Sequence, residues 1–244
     1  MCFLCEKLKE YQLFLFGIIL GIAIVAAAVI TTGNIRQEGI FMTGSSEEIV
    51  RADNATWTIS IETERPTRAE GYQSIQRQLP IVQKFLKDNG INESDIDVEP
   101  LNYWTKNKTL PNGNYTNEIG AYVYTQNIKV SSNDVDKIKA LSTDIQKLIE
   151  QGVDLSSRKP EYQYSKLADL KVQLIEKAAI DAKARADAAL KVNGNRTGKI
   201  LNVKTGVFQI TAPDSTMVSD GGMNDTETLE KKVSAVVKVT FEIR

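Results

Sequence analysis

Histidine is absent from all 244 residues, and the only cysteines are Cys2 and Cys5. Without histidine there can be no Ser-His or Cys-His nucleophile pair and no His-ligated zinc or iron. Beyond residue 5 there is also no thiolate nucleophile, thiolate metal ligand or disulfide. The remaining candidates for chemistry are carboxylates, lysine, serine and tyrosine, and no spacing of these matches a known catalytic or metal-binding motif. We therefore predict a non-enzymatic protein without a metal or other cofactor.

An excess of charge of either sign is also missing. Lysine and arginine number 30 against 31 for aspartate and glutamate, which gives a formal net charge of -1. A nucleic-acid-binding domain usually carries a basic excess, so we predict no nucleic-acid partner. The hydrophobic share of 42% and the charged share of 25% are typical of a globular protein.

One long apolar run stands near the N-terminus, from Leu13 to Ile30, with no charged residue. Eighteen helical residues span about 27 Å, close to the thickness of the hydrocarbon core of a bilayer. Lys7 and Lys9 precede the run, which places the N-terminus in the cytoplasm and the rest outside. The alternative is a cleaved signal peptide ending near Ala26–Ala28, and it exports the same domain. The predicted parts are a cytoplasmic N-terminus at 1–12, a transmembrane anchor (or signal peptide) at 13–30, a tether at 31–39 and an extracytoplasmic domain at 40–244.

After the tether, the hydrophobic period alternates between two and about 3.6, which predicts an α/β domain. Trp57, Ile59 and Ile61 indicate a half-buried strand, and residues 233–243 give the clearest alternation in the chain. Thr67-x-x-Glu70 predicts the start of a helix in which Pro80 should cause a kink or a break. The polar stretches 105–118 and 211–228 are predicted to be long loops, the first with a hairpin signal at Asn112-Gly113.

The longest helix is predicted at about 165–192, and its inward stripe changes from leucine to alanine. Small side chains allow close approach to a sheet or to a neighbouring subunit. The stripe therefore supplies candidate oligomer contacts at Ala178, Ala182, Ala186 and Ala189.

The order of these parts resembles a known family. The residues that carry the resemblance are Gly44, Asp53-x-Ala55-x-Trp57-x-Ile59, the helix end 86–91, the alanine-rich helix and the closing V-x-V-x-F-x-I. The pattern is similar to the SIMPL-domain family, which includes periplasmic stress-defence proteins and a periplasmic immunogenic protein. The resemblance covers about residues 40–244. It implies an α+β-like domain with a mixed sheet and two to three packing helices, which forms rings or channel-like homo-oligomers in the cell envelope. The shared motifs are structural, so the resemblance assigns no catalytic or binding residue to this chain.

Asparagine sequons of the form N-x-[ST] are unusually frequent. They occur at Asn54, Asn92, Asn107, Asn114, Asn195 and Asn224. One interpretation is that asparagine and threonine simply share turns. The other is a glycosylated protein of the cell surface.

Four aromatic residues flank the predicted hairpin: Tyr103, Trp104, Tyr122 and Tyr124. They either pack across strands or form a platform for a ligand. The sequence thus favours a membrane-anchored, extracytoplasmic protein that self-assembles into a ring or cage. The alternative is a monomeric binding module of the envelope, in which the four aromatic residues line one concave pocket.

Overall fold

A computed structural model describes residues 15–27 and 39–244. Helix α1 covers residues 15–27. Within these two ranges, no helix is long and apolar enough to cross a membrane. Residues 13–14 and 28–30 of the predicted anchor lie outside the described residues. The predicted cytoplasmic segment 1–12, with both cysteines, and the tether up to residue 38 also lie outside them.

The remaining elements follow in chain order. The strands are β1 (Gly39–Arg51), β2 (Asn54–Arg65), β3 (Ile96–Val98), β4 (Asn102–Thr109), β5 (Tyr115–Ser132), β6 (Leu155–Ser157), β7 (Glu161–Gln163), β8 (Thr197–Thr205), β9 (Gln209–Thr211), β10 (Met223–Asn224) and β11 (Glu230–Ile243). The helices are α2 (Arg68–Asp88), α3 (Val135–Asp144), α4 (Lys147–Glu150) and α5 (Leu167–Lys191), with a short 3₁₀ helix at Glu93–Asp95. This mixed α/β composition agrees with the predicted fold class.

The chain divides into two compact units. One contains the described residues up to Ser45 together with Lys177–Gly206 and Val237–Arg244. The other contains Ser46–Glu176 and Val207–Val236. Strands β1 and β11 and helix α5 contribute residues to both units.

The larger unit is built on an antiparallel sheet in the order β3-β5-β2-β6, with β4 also paired to β5 and β7 to β2. Trp57, Ile59 and Ile61 of β2 are fully buried, as the alternating pattern predicted. The indole Nε1 of Trp57 donates hydrogen bonds to Ser157 Oγ at 2.9 Å and to the Arg158 carbonyl at 3.1 Å. The buried polar atom of this large side chain is therefore satisfied.

Helix α2 begins as predicted, because the Glu70 amide donates to Thr67 Oγ1 at 3.3 Å. The expected break at Pro80 is wrong, since α2 runs through it as one helix of 21 residues. Proline removes one amide and leaves the carbonyl of Gln76 without its usual donor. Pro80 and Gln76 both lie on the exposed side of the helix, where water can satisfy that carbonyl.

Four predicted segments have different bounds in the structure: the loop at 105–118, and the strands that the sequence also predicts at 96–104, 154–164 and 199–209. The stretch 105–118 is mainly a β-hairpin, because β4 and β5 pair from Asn102↔Thr125 to Thr109↔Tyr115. Gly113 occupies its turn with φ +85°. The predicted strand at 96–104 is divided into β3 and β4 around Pro100, which has no amide for a ladder. The predicted strands at 154–164 and 199–209 are likewise each divided in two.

Candidate functional site

Three of the four stripe alanines are completely buried: Ala178, Ala182 and Ala186. They lie in the smaller unit next to Gly44 of β1. A Cβ atom added at Gly44 would lie 2.1 Å from the Ala178 carbonyl oxygen and 2.4 Å from the Ala182 amide nitrogen. The alanine stripe was predicted to pack either against a sheet or against a neighbouring subunit. It therefore packs against a strand of its own chain. Only Ala189 of the predicted oligomer contacts is exposed.

The six sequons differ in accessibility. Asn54 is half-buried in β2, and its Nδ2 donates to Asn133 Oδ1 at 3.1 Å. The other five are exposed at the surface: Asn92, Asn107, Asn114, Asn195 and Asn224. An enzyme that modifies asparagine needs the side-chain amide free, so Asn54 is the least suitable acceptor of the six.

The tyrosines of the hairpin form one cluster with α2. The rings of Tyr103 and Tyr124 are stacked, with centroids 5.2 Å apart, and Tyr122 lies 6.5 Å from Tyr103. The Arg68 guanidinium lies 5.6 Å from the Tyr103 centroid and 5.3 Å from that of Tyr122. Close packing depends on Gly71, where a Cβ atom would come within 2.4 Å of the Tyr124 ring.

Trp104 is separated from this cluster. It is paired with Val123 on β5, whereas Tyr103 is paired with Tyr124. Because successive residues of a strand point to opposite faces, Trp104 lies on the face of the sheet opposite the tyrosines. The four aromatic residues therefore do not line one pocket.

The β4–β5 hairpin exposes an unusual amount of apolar surface. We use the term hairpin surface for its large exposed side chains, which are Tyr103, Trp104, Leu110, Tyr115 and Ile119. Trp104 is 55% exposed and Tyr115 is 74% exposed. Among the described strands β4 pairs only with β5, so its outer edge carries unpaired backbone groups. The neighbouring lysines are neutralised, because Lys106 pairs with Glu64 and Lys108 with Glu118, each at 2.9 Å.

Sequence reasoning missed a buried lysine in the larger unit. Lys231 is only 3% exposed and borders a cavity of about 310 Å³. Its Nζ donates to the Asp225 carbonyl oxygen at 2.6 Å and lies 3.7 Å from the Asp225 carboxylate. Burial lowers the pKa of Lys231, while the Asp225 carboxylate acts in the opposite direction.

The same carboxylate also accepts hydrogen bonds from Thr228 Oγ1 and the Glu227 amide. This arrangement fixes the loop before β11. The sequence did hold a signal for it, because Lys231 shares its strand face with the buried Val233 and Ala235. In the described part of the chain, no three acidic or cysteine side chains come together as a metal site would require.

Comparison with known protein families gives a match over most of the chain. The family model SIMPL, described as a protein of unknown function (DUF541), matches residues 40–241. No curated protein matches the chain.

Proposed function

Because the chain belongs to the SIMPL family, we propose that it is a non-enzymatic, membrane-anchored protein of the cell envelope that self-assembles into a ring or cage-like homo-oligomer. Family membership supports the extracytoplasmic location. The observation that carries the proposal of self-assembly is the hairpin surface.

Single exposed apolar side chains are common on monomeric proteins, but several on one short hairpin indicate an interaction site. Those of the hairpin surface lie on both faces of the sheet, since Trp104 is on the face opposite that of Tyr103. The five side chains of the hairpin surface all fall within residues 103–119. They lie beside the unpaired edge of β4, which is itself a template for pairing with another chain. Since every copy presents the same hairpin, a symmetric contact between copies would cover both features.

Other surfaces contribute to the proposed assembly. The loop within residues 211–228 exposes Met217 and Val218. Ala189 is exposed as well, whereas the buried alanines of α5 have no surface left for a neighbour. We therefore assign the main subunit contact to the hairpin rather than to the alanine stripe.

Helix α1 supports the anchor. Its large apolar side chains are exposed around the helix: Leu15, Phe16, Ile18, Ile19, Leu20, Ile22, Ile24 and Val25. Such a helix is favourable only in lipid or against another apolar surface. Gly17 and Gly21 have no atom within 4 Å of an added Cβ, so this face is open to a second helix.

The mass of the full chain in detergent, measured by light scattering with electron microscopy, tests the assembly. We expect closed oligomers, and we expect Trp104→Ser combined with Tyr115→Ser to shift them towards monomers. Val172→Ser is the matched control, because Val172 is 68% exposed on α5, outside the hairpin. A strict monomer at micromolar concentration, or an equal effect of the control, would contradict the proposal.

Glycosylation remains part of the proposal for the five exposed sequons. Intact-mass measurement of the protein from its native membrane tests this directly. A mass equal to that of the bare sequence would leave the sequons as turn residues.

The monomeric binding module remains the second candidate, and the cluster of Arg68 with Tyr103 and Tyr122 favours it. A guanidinium lying against the exposed ring of Tyr103 and the half-buried ring of Tyr122 is suited to an anionic or aromatic group. For this candidate the full chain would be monomeric, and Arg68→Ala would weaken ligand binding.

A further inference from the structure

We propose that β4 is the self-association edge of this protein, and that two copies pair antiparallel through β4 about a two-fold axis at Thr105. This inference rests on the proposed function and specifies the contact within it. It joins the larger units of two copies into one continuous sheet. Because a two-fold contact closes at a dimer, the ring or cage also needs one of the other surfaces named above, such as the loop with Met217 and Val218.

The direction of the backbone groups on β5 shows which residues of β4 can accept a new strand. The Glu99 amide donates to the Asn127 carbonyl at 3.0 Å. Odd-numbered residues of β5 therefore direct their backbone groups towards β3 and β4, and this alternation is regular from Tyr122 to Ser132. Tyr103 and Thr105 are paired with the even-numbered Tyr124 and Tyr122. Their own N–H and C=O groups consequently point outwards.

The hairpin contains a bulge, but it does not disturb this edge. The register passes from Lys106↔Ala121 to Asn107↔Ile119. The extra residue, Gly120, belongs to β5. A second shift, between Asn107↔Ile119 and Thr109↔Tyr115, also adds residues to β5 and none to β4.

The geometry of antiparallel pairing restricts the register to a few choices. Residues that oppose each other across two strands must lie on the same face of the sheet. A two-fold axis perpendicular to the sheet keeps each side chain on the same face of the sheet. Even-numbered residues can therefore be opposite only even-numbered residues, and odd-numbered residues only odd-numbered ones. The axis then lies midway between the two copies of one residue. The longest overlaps of β4 with a second β4 make that residue Thr105 or Lys106.

Charge decides between these two registers. An axis at Lys106 places the two copies of Lys106 directly opposite each other, which is unfavourable. An axis at Thr105 places Trp104 opposite Lys106 twice and Asn102 opposite Lys108 twice. The Trp104 indole is exposed on the same face as the Lys106 side chain, so each ring can pack against the aliphatic part of the opposite Lys106, whose Nζ stays paired with Glu64 at 2.9 Å.

Lysine on an edge strand normally discourages pairing with other chains. Of the two longest overlaps, only the Thr105 register places no lysine opposite a lysine, so this protection is lost in that register. Asn107 stands opposite Tyr103 of the second copy, and a glycan there would obstruct the contact. The pairing therefore limits the proposed glycosylation to the other four exposed sequons and requires Asn107 to be unmodified.

Cysteine cross-linking of the full chain tests the register. Cys2→Ser and Cys5→Ser give a cysteine-free background. In detergent, with a short bifunctional thiol reagent, Thr105→Cys should cross-link to itself several-fold more than Asn102→Cys does. Two copies of residue 102 would be six residues apart along the strands, about 20 Å. A mixture of Asn102→Cys and Lys108→Cys should cross-link again, because these positions face each other.

The outcomes separate this inference from the proposed function. Cross-linking of Lys106→Cys to itself without that of Thr105→Cys would overturn the register. Oligomers by light scattering without cross-links at any β4 position would overturn the β4 contact while leaving self-assembly in place. A monomeric full chain would overturn both, and a glycan found on Asn107 of the assembled protein would overturn the β4 contact alone.

Discussion

At the scale of single residues, Gly44 shows how little space separates β1 from α5 in the smaller unit. A methyl group there would lie 2.1 Å from the Ala178 carbonyl oxygen, and backbone atoms of a helix cannot move aside without breaking its hydrogen bonds. We expect Gly44→Ala to lower the free energy of unfolding by about 3 kcal/mol, at the upper end of typical overpacking costs. Gly221→Ala is the control, because its nearest atom is 3.9 Å away. Urea unfolding followed by circular dichroism would contradict this expectation if both variants behaved alike.

Asp187 makes the stability of the smaller unit depend on pH in the acid range. Hydrogen bonds from Lys183 Nζ, at 2.7 Å, and from Thr197 Oγ1, at 2.5 Å, hold the pKa of this carboxyl at about 2 instead of its ordinary 3.8. The folded state thus favours the ionised form. The resulting stabilisation is fully present above pH 3.8 and is lost as the pH falls towards 2.

The corresponding test compares wild type with Asp187→Asn by thermal unfolding over this range. The wild type should be the more stable protein near neutral pH, and the difference should shrink between pH 3.8 and about 2. A difference that stays constant down to the lower limit would show that Asp187 does not act through its charge. Titration of the carboxyl group by NMR gives an independent value of its pKa.

At the scale of elements, a buried polar network joins α2 to the sheet of the larger unit. Gln78 accepts from the Asp154 amide at 2.6 Å and donates to Ser74 Oγ at 3.0 Å. Ser74 also lies 3.3 Å from Thr63 Oγ1 of β2 and accepts from Arg65 at 3.1 Å. Within the described residues, no buried side-chain nitrogen or oxygen lacks a partner. The network therefore stabilises the packing of α2 only while all its members are present.

Removing the amide of Gln78 should be costly for that reason. Gln78→Ala leaves the Asp154 amide without its acceptor and removes one of the three partners of Ser74 Oγ, and we expect the free energy of unfolding to fall by about 2 kcal/mol. Gln76→Ala on the exposed side of the same helix should change it by less than about 0.5 kcal/mol. Chemical denaturation of the two variants provides the measurement, and equal losses would mean that helix propensity alone is responsible.

Sequence patterns predicted those helices and strands in which buried residues recur at regular intervals. Strand β2, the start of α2 and strand β11 all have one buried face, and the alternation or the capping residues reveal it. The hairpin turn at Asn112-Gly113 was predicted, but the extension of β4 and β5 into the stretch 105–118 was not, because all eight residues of β4 are exposed and no apolar alternation marks them. From the sequence, the alanine stripe could pack against a sheet or against a neighbouring subunit. Only the close approach of Gly44 shows that its partner is β1 of the same chain. Lys231 was missed because its partner, Asp225, lies in a loop. No repeating pattern of apolar residues there indicates which side chains come together.

At the scale of the whole molecule, the proposed contact is short, and the proposed anchor would confine each copy to one surface. Pairing through seven residues of β4 buries little area and should be weak in free solution. Confinement to a membrane raises the effective concentration of one copy near another, so weak contacts become sufficient. The apolar segment 13–30 would then determine where the subunits meet in addition to where the domain is exported.

This view predicts that assembly depends on the density of the protein in the membrane. The full chain in liposomes should associate at a total concentration at which a chain lacking residues 1–38 is monomeric, because the tether adds effective concentration without adding a contact. Added lipid dilutes only the anchored form, so association of the full chain should fall as the lipid-to-protein ratio rises. Energy transfer between labelled copies reports this directly. If the truncated chain associates equally well and lipid has no effect, the anchor serves export alone and the contact between subunits must be strong by itself.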